Sequence, residues 1–166
     1  MKKKSTEIID LRKKLDKDIA YYWKIIASEN VMKNGTTRQY DLKELLRLIN
    51  DLSNQRIQAK LDSLIINLGF SKRSDLPANS IFPTIYELSE KNEQLVKLRI
   101  LETIDPRVKR LKGKKGLKVN EEITADYKKK LMDELQLEIN RLSKILYDFN
   151  EKAELDISSA YMSLVA

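Results

Sequence analysis

Only four glycines and three prolines interrupt this chain of 166 residues. An all-β fold needs turn chemistry far more often than that, so long helices joined by few loops are the expected solution. Apolar residues recur at spacings of three and four, which marks a single buried helical face. Residues 6–32 carry Leu11, Leu15, Ile19, Tyr22 and Ile26 in this pattern, with Ser5 or Thr6 as a cap and Asn34-Gly35 beyond. Residues 41–68 open on Asp41-Leu42-Lys43-Glu44, a capping-box pattern. Leu45, Ile49 and Leu52 continue there, then Ile57, Leu61, Leu64, Ile65 and Leu68 on a rotated face, with Gly69 as the stop.

The third segment, 80–104, holds Pro83 in its first turn and Ile81, Ile85, Leu88, Leu95 and Leu98 as apolar positions. Asp105-Pro106 ends it, since the residue before a proline disfavours helix. The fourth, 124–155, has the most regular seam: Leu131, Leu135, Ile139, Leu142, Leu146 and Phe149. The expectation is one all-α domain over 1–166: long antiparallel hairpins packed as a four-helix bundle, with a basic linker before the last helix. Residues 117–123 have the composition of a short extended arm. A helix over 41–68 is about 40 Å long and its stripe rotates, which favours a homo-oligomer that covers the excess apolar surface.

Chemistry is restricted just as strongly. Histidine and cysteine are both absent. Thiolate and imidazole ligands, cysteine nucleophiles and the usual general base near neutral pH are thereby excluded. No phosphate loop, dinucleotide fingerprint or zinc-protease motif occurs, so neither an enzyme nor a cofactor is expected. Charges recur every few residues and leave no window for a membrane span. The opening Met-Lys-Lys-Lys leads into a charge-broken stretch rather than a signal-peptide core, so the expected location is cytoplasmic.

The net charge is +7, and its distribution matters more than its size. Between Asp105 and Lys118 stand Arg107, Lys109, Arg110, Lys112, Lys114, Lys115 and Lys118, against Asp105 alone. That segment carries +6 and the remainder of the chain +1. Arg107, Lys109, Arg110, Lys112, Lys114 and Lys115 are the candidate ligand-binding residues. Such a density of cations attracts phosphates, and Gly113 and Gly116 allow backbone N–H groups to approach an anion. A solvated, solubilising loop is the competing reading.

Two carboxylate groups, Glu121-Glu122 with Asp126 and Asp133-Glu134 with Glu138, have spacings that could hold Mg²⁺. Lys128, Lys129 and Lys130 lie beside both, and a solvated helix face is the preferred reading. Tyr21-Tyr22-Trp23 could stack on a base, but core packing is favoured because Tyr22 falls on the apolar stripe.

The order of elements resembles the septicolysin-like family of small bacterial helical proteins. The similar features are Leu11, Arg12 and Leu15 in a first helix closing near Asn30-Val31, and Glu44-Leu45-Leu46 opening a helix that closes near Asn67. A helix with Leu95, Leu98, Arg99 and Leu101 follows, then a basic linker and a last helix with Leu135, Ile139, Leu142 and Asn150. The resemblance implies a compact, oligomeric helical protein without an established reaction, and it assigns no functional residues. The expected function is therefore non-enzymatic: an oligomeric binding protein that captures a phosphate-bearing, nucleotide-like small molecule at the basic connection. The alternatives are a nonspecific nucleic-acid binder and a phage or mobile-element adaptor acting on a host protein.

Overall fold

The computed structural model describes residues 4–111, 116 and 118–154. Five helices and a two-stranded ribbon follow one another as α1 (Ser5–Glu29), β1 (Val31–Lys33), α2 (Leu42–Asn67), α3 (Phe82–Ile100), α4 (Pro106–Leu111), β2 (Val119–Glu121) and α5 (Ala125–Lys152). The helices pack as pairs, α1 on α2 and α3 on α5, with α2 against α3 joining the pairs. Side-chain contacts give the directions. Asp16 meets Arg56 and Arg12 meets Ser63; Ser53 meets Gln94 and Arg56 meets Glu90; Lys128 meets Leu101 and Arg141 meets Glu87. Each pair therefore runs antiparallel, and α5 runs alongside α2 in the same sense. Among the described residues no helix is long and apolar enough to cross a membrane.

Several expectations are corrected. The first helix stops at Glu29, not residue 32, because residues 31–33 leave to pair with β2 in antiparallel register, Val31 opposite Glu121 and Lys33 opposite Val119. Asn34-Gly35 turns the chain after that strand, and Gly35 takes a φ of 85°. Neither Ser5 nor Thr6 caps α1; Lys4 is the N-cap and its N–H donates to Glu7 Oε2 at 2.8 Å. The third helix ends at Ile100, four residues early, and Leu101 and Ile104 turn into the core. Pro106 does not merely stop a helix. It starts α4, where its missing N–H costs nothing at a first-turn position. The fold is thus not purely α, and the linker before α5 is helical over its first six residues.

Other local readings hold. Asp41 Oδ1 accepts the Glu44 N–H at 2.9 Å, and this bond lowers the Asp41 carboxyl pKa below its ordinary value. The reciprocal half of the box is missing, since Glu44 pairs with Arg47. Gly69, at φ 79°, closes α2: its N–H bonds to Ile66 O and that of Phe70 to Ile65 O, a Schellman ending. Thr124 caps α5 through the Tyr127 N–H.

The larger apolar cluster joins Ile19, Trp23, Ile26, Leu42, Ile49 and Ile123 with Leu98 and Leu101. A smaller one joins Ile8, Leu15 and Ala59 at the far end of the α1–α2 hairpin. Between them lies a polar layer. Arg56, its side chain 8% exposed, forks onto Glu90, 1% exposed, and also reaches Asp16 at 2.9 Å and Glu93 at 2.7 Å. Lys60 donates to Glu90 at 2.8 Å. Burial alone would lower the Arg56 pKa, but hydrogen bonds to Glu90 and Asp16 and the charges of Glu90 and Glu93 raise it.

Candidate functional site

The ribbon and α4 position the basic connection. Asn30, fully buried, ties them to the helices: its Nδ2 donates to Glu102 O at 2.7 Å and Ile123 O at 3.0 Å. Its Oδ1 accepts the Ile123 N–H at 2.7 Å. Arg38 closes the other side, donating to Glu29 O, Asn30 O and Asn120 Oδ1 at 2.8 to 3.0 Å.

Glu121 and Glu122 each hold backbone N–H groups. Glu122 Oε1 accepts the Leu42 and Lys43 N–H groups, so it serves the N-terminus of α2. Glu121 is buried, accepts the Ile104 N–H and lies 3.5 Å from Lys109 Nζ. The second carboxylate group is exposed or paired on α5, with Glu138 held by Arg141 at 2.9 Å. Among the described residues no three ligating side chains gather on a metal position. Lys128 belongs to neither group, since it donates to Arg99 O and Leu101 O at the end of α3, where burial lowers its pKa.

Of the candidate ligand-binding residues, Arg107 and Lys109 stand on α4 and are exposed. The Lys109 ammonium is drawn onto Glu121, which leaves it less available to an anion than its neighbours. Arg110 lies on the same helix, with its side chain outside the described residues, as are Lys112, Lys114 and Lys115 altogether. The structure adds one cation that the sequence reading missed. Lys33, exposed on β1, sits at the ribbon end beside Lys118, whose carbonyl accepts the Asn34 N–H at 2.9 Å. Eighty-five residues separate the two lysines in the chain, and only strand pairing brings them together.

A second feature lies where α1, α2, α3 and α5 meet. It is a cavity of about 210 Å³ with walls formed by Trp23, Leu46, Ile49, Leu98, Leu131 and Leu135. Asn50, Lys91, Gln94, Glu134 and Glu138 supply its polar lining, and among the described residues none of the basic connection is part of it. The aromatic trio is split accordingly. Trp23 is buried and faces the cavity, while exposed Tyr21 lies edge-on to Tyr22 at 5.5 Å and, beside Tyr40, raises the pKa of the Tyr40 phenol.

The fold and these features define a paired-helix protein with a cationic ribbon end and an amphipathic cavity open on one side. No family model, no curated protein and no solved structure matches the chain. The resemblance to the septicolysin-like proteins rests on the sequence features given above.

Proposed function

We propose that this is a non-enzymatic, oligomeric binding protein that takes a phosphate-bearing ligand at the basic connection and ribbon end. The observation that carries this reading is the contact of Lys109 with Glu121, which draws α4 against β2. Exposed Arg107 stands on that helix, and exposed Lys33 and Lys118 stand at the tip of the ribbon it meets, while Glu121 and Glu122 accept backbone N–H groups. Asp105, beside Arg107, remains exposed, so the local excess of positive charge is reduced there by one. The described part of this surface is open, and the cavity takes none of its walls from it, which favours an extended polyanion over an enclosed mononucleotide.

Fluorescence anisotropy with a labelled single-stranded oligonucleotide tests the proposal. If all six candidate cations engage, log K should fall with log salt at a slope of about −4. Arg107→Gln/Arg110→Gln should weaken binding by roughly tenfold and flatten the slope by about 1.4, since each phosphate contact contributes about 0.7. Saturable ATP binding with little salt dependence would restore the small-molecule form. If neither ligand binds at low salt, anion capture is refuted and the protein-adaptor reading replaces it.

Self-association belongs to the same proposal. Val96 and Ile100 stand a helical turn apart on α3, and Ile100 and Leu137 are each 70% exposed. Self-association would cover these exposed apolar side chains. Light scattering should give a multiple of 19.4 kDa at micromolar concentration; the monomer mass would remove this part of the reading.

A further inference from the structure

We propose that the cavity between α2 and α5 binds a small, planar, apolar molecule that bears no negative charge and donates a hydrogen bond to Gln94. Three independent features support this. The first is a break in packing along one seam. Ile139 and Leu142 of α5 are buried, whereas Leu131 and Leu135, on the same face, pack against the larger apolar cluster yet are only partly covered. α5 packs chiefly along α3, and between its Leu131 and Leu135 and the α2 residues Leu46 and Ile49 the packing leaves the cavity. Apolar walls without partner atoms forfeit dispersion contacts that a ligand of matching shape restores.

The second feature is Gln94, only 7% exposed and part of the lining. Its Nε2 donates to Ser53 Oγ at 3.2 Å, the carboxamide's one hydrogen bond among the described residues. The carbonyl oxygen is left able to accept a bond, and a nearly buried acceptor gains more from a partner than one in water does. Such a group fixes the orientation of an otherwise apolar ligand.

Charge is the third. Among the described residues the charged lining is Glu134, Glu138 and Lys91, with Glu134 paired to Lys130 and Glu138 to Arg141 at the solvent-facing rim. No buried cation is among them, so an anion entering here loses hydration without a charge partner to replace it. This site therefore selects against the phosphate-bearing ligands proposed for the ribbon end, and the two proposals stand or fall separately.

Trp23 is the only tryptophan in the chain and lies in the cavity wall, so its emission reports occupancy. The probe is N-phenyl-1-naphthylamine: two apolar ring systems, no charge and one N–H. Titration should quench Trp23 with a matching rise in dye emission, saturating at one dye per chain with a Kd of about 10 μM. The same ring skeleton carrying a sulfonate, 1-anilinonaphthalene-8-sulfonate, should bind at least roughly tenfold more weakly, because its charge would lose water without a buried cation to replace it. Leu135→Phe or Leu131→Phe, which fill the space from α5, should each weaken the neutral dye by more than about tenfold while helical circular dichroism is retained. Gln94→Leu should weaken it by about fivefold through loss of the acceptor. Equal binding of the two dyes, or neutral-dye binding unchanged in both folded filling variants, would show adsorption to exposed apolar surface and overturn the proposal. Absence of binding up to about 100 μM in the parent protein would overturn it as well.

Discussion

Arg56→Met is expected to destabilise the protein by about 3–5 kcal/mol, because it strands Glu90 in the interior with only Lys60 as a counter-charge. In the parent protein the Arg56 guanidinium holds Glu90 through its fork and joins three helices, with Asp16 on α1 and Glu93 on α3 as its other partners. Removing a single member of such a cluster leaves a desolvated charge, which is far worse than having no charge at all. Arg56→Met/Glu90→Leu should therefore be more stable than Arg56→Met alone and lie within about 2 kcal/mol of the parent. Asp16 and Glu93, about half exposed, can turn to water in the double variant, and Lys60 can extend its ammonium outward. Urea unfolding of the four-member cycle measures this. A double variant no better than Arg56→Met would mean that the layer acts through shape and not through charge pairing.

Asn30→Leu should cost roughly 3–5 kcal/mol, a sum of losses at three backbone groups of about 1–3 kcal/mol each, reduced by local relaxation. The branching of the side chain is kept, while two methyl groups bulkier than the amide oxygen and nitrogen add overpacking at this fully buried site to the loss. What it removes is the partner of Glu102 O, Ile123 O and the Ile123 N–H, all at the point where α1, the end of α3 and the start of α5 converge. Hydrogen exchange should quicken first at the β1–β2 pairing, since Asn30 precedes β1 and Ile123 follows β2. Asn92→Ala, at an exposed site on α3 where the side chain bonds only Leu88 O, should stay within about 0.5 kcal/mol of the parent. Comparable losses at the two positions would show that the Asn30 bonds are not what holds the junction.

The junction and the polar layer differ in how far the sequence announced them. Asn30 stood out as the point where the first helix closes, but its role did not: an asparagine after a helix more often ends it than bonds across 93 residues. Arg56 gave no signal. The stripe on α2 reads as apolar up to Leu52 and resumes at Ile57, whereas the buried line passes through Ser53 and Arg56. Arginine is taken as solvent-facing unless a buried carboxylate awaits it, and Glu90 lies 34 residues away.

What the sequence determined by itself was local. Spacings of three and four residues set the long helices, Gly69 ended α2, Asp41 and the residues around Thr124 opened α2 and α5, and the missing histidine and cysteine narrowed the chemistry. These signals act within a few residues of where they are written, so each can be read without knowing the rest of the chain. Tertiary structure decided the rest. Strand pairing converted residues 31–33 from helix to ribbon and set Lys33 beside Lys118, because ladder hydrogen bonds with a distant segment outweighed helical continuation. Packing of α5 along α3 rather than α2 left Leu131 and Leu135 half covered and opened the cavity that Gln94 and Trp23 line. Helical periodicity names the face that turns inward, but which helix meets that face, and how closely, depends on the partner's side chains as much as on its own.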